Sequence, residues 1–250
     1  MDPHPSKEID ASVLRRRMAK RLAWQQAAHD IRGEPRNRLP QLPALRAWQA
    51  RRLEQSFRHF LSDDRMRPAA LFFLNDLYGD RDFSGRDRDV ARLMPLMSRL
   101  LPHSLLGAAV EAVELEVLSH AFDLRMAQSL AKALRPGQAI DTQSYALAYR
   151  EVGAPRLRRH QIDLVLGVGW TLDTAVKKHG VAKLLRASRT PARLLGLAEL
   201  QGFLERGFTA FEALGGAKVF LESIGASELA ASARIFGGEA DPFGLDQPNS

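Results

Sequence analysis

SLLGAAVEAVELEVLSHAFDLRMAQSLAKAL, residues 104–134, runs without a proline, and Arg135-Pro136-Gly137 ends it. Leu106, Val110, Val113, Val117, His120, Leu124, Ala127, Ala131 and Leu134 follow one another in alternating steps of four and three, the spacing of one helical face turned to a core. The stretch therefore predicts one helix about 45 Å long, at about 1.5 Å per residue. A helix of that length needs other helices along its flanks, so the fold is predicted to be an all-α, multi-helix bundle around it.

The rest of the chain supplies such partners. Leu and Ala number 37 and 35, against 22 for Val, Ile and Thr together, a balance that suits helix interiors and starves sheets. Start and stop signals place helices from Ser6 to Ile31, near Ala44–Leu61, at Ala69–Tyr78 and from Ser84 towards Leu101. After the long helix they fall at 141–152, 155–178, 180–187, 190–213, 215–223 and 227–236, with Ser227 as the last start signal. The bundle is thus expected to hold about nine to eleven helices. Residues 1–43 read as a basic arm, 44–236 as one globular domain and 237–250 as a tail with Gly, Pro and Asp.

Composition excludes several function classes. There is no cysteine, hence no disulfide framework, thiolate zinc site or cysteine nucleophile. No apolar run approaches the roughly 20 residues of a membrane span, and the N-terminal Met1-Asp2-Pro3-His4-Pro5 lacks a secretory pattern, so a cytoplasmic location is expected. The net charge of +7 is one-sided: residues 1–60 hold 13 Lys and Arg against 6 Asp and Glu, and the remaining residues balance at 23 each. Arg15, Arg16, Arg17, Lys20 and Arg21 head this excess and are the candidates for contact with an acidic protein partner. They spread around more than half of a helix, and no helix-turn-helix or zinc-finger spacing accompanies them, so nucleic acid is the weaker alternative.

The apolar seam of the long helix has a polar interruption. Glu116 and Asp123 stand four residues before and three after His120, on its side of the helix. Such a cluster is either a metal or small-ligand site, with a carboxylate orienting the imidazole, or a structural network pairing a buried histidine. A di-iron bundle would require Glu-x-x-His, whereas Glu116 and His120 are four apart. In the other helical pair available, His160-x-x-Asp163, His160 is expected to face away from the seam running through Ile162, Val165, Gly169, Leu172 and Val176. Asp80 to Gly85 resembles half of a calcium loop, but Ala91 stands where a bidentate carboxylate is needed. No phosphate-binding glycine loop and no nucleophile elbow occurs, and no cofactor is implied. Phe203, Leu204, Phe208, Phe211, Leu214 and Phe220 read as core, and Gly167 and Gly169 as points of close helix contact.

Phe72-Phe73-Leu74-Asn75-Asp76-Leu77-Tyr78-Gly79, followed by Asp82-Phe83-Ser84 and Arg86-Asp87, resembles a bacterial family of uncharacterised proteins with an FFLxDLYG-type signature. The resemblance continues through Glu114-Leu115-Glu116 and Phe203-Leu204-Glu205, over most of residues 60–236, and implies no activity, ligand or catalytic residue. The residues thus leave a helical regulatory or binding protein meeting an acidic partner as the first expectation. A metal- or small-ligand-binding bundle with its site at His120 is the alternative.

Overall fold

The computed structural model describes residues 11–30, 32–78, 103–194 and 198–244, and these form an all-α bundle in which no strand occurs among the described residues. The helices are α1 (Ala11–His29), α2 (Gln41–Ser56), α3 (Arg58–Leu61), α4 (Arg67–Phe72), α5 (His103–Ala133) and α6 (Thr142–Val152). They continue with α7 (Pro155–Val176), α8 (Val181–Ala187), α9 (Arg189–Leu194), α10 (Ala198–Leu214) and α11 (Lys218–Gly237). Among the described residues, no helix is long and apolar enough to cross a membrane.

The predicted long helix is α5, displaced by a single residue at each end. It is the shaft of the fold, packing most extensively on α7 and α1 and then on α2 and α6. Leu106, Val110, Val113, His120, Leu124 and Ala127 of its predicted seam are all buried. Its first half is buried on other sides too, at Leu105, Ala108, Ala109, Ala112 and Leu115, because small alanines let neighbouring helices approach closely.

Two main apolar clusters grip the shaft, beside a minor third of Leu42, Leu124 and Ala127. The larger gathers Phe57, Phe60, Phe72, Phe73, Phe211 and Phe220, with edge-on pairs such as Phe73 against Phe220 at 5.3 Å and 87°. The smaller gathers Leu45, Met126, Leu130, Tyr145, Tyr149 and Ile235, over which Trp48 and Phe243 pack. Of the stretch from 237 read as a tail, the described residues reach Gly244 and bring Phe243 to 5.9 Å from the ring of Tyr145.

Local signals explain most boundaries, and three expectations are corrected. Asp141 caps α6 reciprocally with Ser144, the two backbone–side-chain bonds being 2.8 and 3.0 Å. Ser227 starts no helix: α11 runs unbroken through it, and Gly225 before it serves packing, since a Cβ there would stand 2.9 Å from Leu166 Cδ1. The helix expected over 190–213 is two, α9 and α10, and residues 195–197 lie outside the described residues. The helix expected to reach Tyr78 changes pitch after Phe72 into a π turn over Phe73–Leu77, closed by Tyr78 N–H on the Phe73 carbonyl at 2.9 Å. The calcium-like loop, Asp80 to Ala91, and the helix expected from Ser84 lie outside the described residues.

Gly167 lets α7 pass over a half-buried acid of the shaft: a Cβ there would stand 3.1 Å from Glu111 Oε2. Burial pushes the Glu111 carboxyl up from 4.5 to about 6, against a 3.4 Å hydrogen bond from Thr171. A raised value means that stability is fully present below the unfolded value near 4.5 and is lost as pH rises through about 6. Glu111→Gln is therefore expected to stabilise the protein by up to about 2 kcal/mol at pH 8 and by nothing at pH 4, as measured by urea unfolding at both.

Candidate functional site

Glu116, His120 and Asp123 do share one side of α5, and two other helices reach them. From α2, Arg46 places its Nη2 2.7 Å from His120 Nδ1 and its Nε 3.4 Å from Asp123 Oδ2, while Gln49 donates to Asp123 Oδ1 at 3.1 Å. From α1, the ring of His29 stacks on His120 at 3.9 Å and 9°, with its Nε2 3.3 Å from Glu116 Oε1. His120 Nε2 lies 3.2 Å from the Ala28 carbonyl. A guanidinium only donates and a carbonyl only accepts, so Nδ1 carries the lone pair and Nε2 the proton: His120 is neutral, with both nitrogens engaged. Burial pushes the Asp123 carboxyl up, opposed by Arg46 and Gln49. Among the described residues no group of three or more His, Asp or Glu is arranged to hold a metal ion.

This network forms one wall of a cavity of about 420 Å³ at the junction of the two apolar clusters. Leu53 and Val165 come to it from the larger cluster, Tyr145, Tyr149 and Ile235 from the smaller. Arg52 and Glu228 cross it as a buried two-pronged ion pair at 2.6 and 3.3 Å. Tyr78, delivered by the π turn, lines it as well, and burial pushes its hydroxyl well above the ordinary tyrosine value. Tyr149 shares a 3.0 Å hydroxyl hydrogen bond with Ser232 of α11. Arg158 of α7 is 4% exposed, its guanidinium 3.6 Å from the ring centre of Phe122 and 4.0 Å from that of Tyr149.

The basic residues of α1 divide. Arg17 and Arg21 turn inward to Glu114 of α5 at 3.1 and 2.7 Å, where His160 joins them at 3.2 Å. Burial acts against ionisation of Glu114, but these partners hold its carboxyl below the usual range. His160 thus stands away from the His120 network, as its position on α7 implies, yet still touches the shaft. Arg16 and Lys20 are exposed, while the side chain of Arg15 lies outside the described residues. Lys20 and Arg21 stand 5.0 and 4.8 Å over the ring of Trp24, which is 47% exposed.

Arg46, Arg52 and Arg158 are the site residues that the helix patterns passed over. One signal existed for Arg158: it stands four residues before Ile162, so the α7 seam extended by one step runs through it. Comparison with known proteins finds no matching curated protein and no matching solved structure. A family model described as a domain of unknown function (DUF8198) matches residues 28–242, a span that holds every cavity residue named above except Phe243. The chain belongs to the DUF8198 family.

Proposed function

We propose that this protein binds a small polar organic ligand in the cavity beside His120. The observation that carries this reading is a partly open cavity of about 420 Å³ within the bundle, walled by polar groups already held in place by their own partners. Small-molecule sites are concave, preformed and of about 300–1,000 Å³. Binding suits these groups better than catalysis: both nitrogens of His120 are engaged, and Asp123 and Glu228 each face an arginine. A fragment library screened by saturation-transfer NMR is expected to yield ligands that bind the native protein and are lost in Ser232→Phe, whose added ring fills the cavity. Ligands binding both proteins alike, or no ligand at all, would refute the reading.

A second reading keeps α1 as a contact for an acidic protein partner, on the strength of exposed Arg16 and Lys20 beside the exposed Trp24 ring. Tryptophan fluorescence is then expected to respond to polyglutamate at low salt, and not in the Arg16→Glu/Lys20→Glu protein. An unresponsive native protein would end this reading.

A further inference from the structure

The cavity holds three arginines, and two are matched: Arg46 by Asp123, and Arg52 by Glu228. Arg158 forms no salt bridge among the described residues. Its remaining contacts are weak or neutral acceptors, Gln161 Oε1 at 3.4 Å and Met126 Sδ at 3.1 Å, and its Nε–H is buried with no acceptor. Its place in the fold adds to the imbalance. Arg158 stands in the first turn of α7, which holds no acidic residue there and whose N-cap, Ala154, offers no side chain. The positive end of that helix therefore adds to the charge of the guanidinium instead of opposing it. Asp123 favours its charge from a distance, but no carboxylate of the described residues pairs with it directly, so a buried cation in such a setting calls for an anion at contact.

The contacts also say what shape of anion fits. The rings of Phe122 and Tyr149 already stack on the guanidinium at 3.6 and 4.0 Å, so a partner meets it through its N–H groups, of which Nε–H has no acceptor. Edge-on approach is how a carboxylate meets arginine with two parallel hydrogen bonds. Glu116, Asp123 and Glu228 line the same cavity, so a dianionic phosphate would meet three carboxylates with a single unmatched cation to offset them. We propose that the ligand is a small organic monoanion whose carboxylate pairs with the edge of Arg158 and whose body packs on Tyr145, Tyr149 and Ile235. This rests on the ligand-binding reading above.

The test is calorimetric titration of the full chain with benzoate, 4-hydroxybenzoate, indole-3-acetate and hexanoate, each beside its primary amide. At least one acid is expected to bind tenfold or more tightly than its amide, and Arg158→Met to erase that difference. Without ligand, Arg158→Met is expected to unfold at an unchanged or higher temperature, because it removes a buried unmatched charge; a cation that only staples Phe122 to Tyr149 would instead lower it. Gln161→Glu places a carboxylate beside Arg158 from within the chain. It is expected to raise the unfolding temperature and to abolish acid binding, which tests the same point should Arg158→Met not fold. Acid and amide binding alike, or undiminished acid binding by both variants, would overturn the monoanion while leaving the cavity reading in place. No acid or amide binding, with fragments bound in the NMR screen, would do the same; an empty screen would remove both.

Discussion

Glu228→Ala is expected to lower the free energy of unfolding by about 3–5 kcal/mol, the cost of leaving one member of a buried ion pair alone. The pair is placed for an effect of that size: the side chains of Arg52 and Glu228 are 10% and 11% exposed, and two hydrogen bonds join them. Burial works against the charge on Arg52, and Glu228 more than offsets it, holding the guanidinium protonated beyond its ordinary range. Without Glu228 that charge keeps the ring of Phe243, 4.9 Å away, and no carboxylate partner among the described residues. Removing both charges together, as in Arg52→Met/Glu228→Leu, is expected to restore most of the loss, because two well-packed apolar groups replace two desolvated ions. Urea unfolding of the two single variants and the double variant measures the coupling. A double variant as unstable as the sum of the singles would contradict the pairing.

Phe73→Ala carries an expected loss of similar size, about 3–5 kcal/mol, for a different reason. Phe73 is fully buried in the π turn, with the rings of Phe72, Phe211 and Phe220 at 6.1, 6.2 and 5.3 Å. Three rings drawn from separate helices cannot collapse together into the space of a fourth, so the variant keeps a cavity. The turn also delivers Asp76 to Arg206 and Tyr78 to the polar cavity, so its loosening is expected to weaken ligand binding as well as stability. Leu71→Ala is the control. Leu71 precedes the same turn but is 43% exposed, and its loss is expected to stay below about 1 kcal/mol in thermal unfolding.

The shaft and its polar interruption were legible because both are local. Alternating steps of four and three identify the buried face of a helix wherever its neighbours stand, and α5 obeys them from Leu106 to Ala127. The spacing of Glu116, His120 and Asp123 likewise needs only one helix. What the three residues touch was not legible, since Arg46, Gln49 and His29 arrive from α2 and α1 at angles set by tertiary packing. The five cations of α1 show the same limit. Their spacing says that they surround a helix, but only the docking of α1 on α5 turns Arg17 and Arg21 inward and leaves Arg16 and Lys20 outside. Ser227 was misread because a helix-start signal is also an unremarkable exposed residue on a long helix. Arg158 was within reach of the pattern, but a charged residue on an extended seam is ordinarily read as its end.

Methionine-methyl NMR on the full chain tests ligand binding in the cavity most directly. Met126 is fully buried in α5 behind the cavity lining, and its sulfur receives the Arg158 Nη2 at 3.1 Å, so its methyl group reports on the cavity wall through that arginine, whereas Met66 packs against the larger apolar cluster. With the Met126 signal assigned from Met126→Leu, fragments that bind the protein are expected to shift it saturably while the Met66 signal stays in place. A Met126 resonance that remains fixed while those same fragments bind would show that they bind elsewhere, and would contradict a ligand site beside His120.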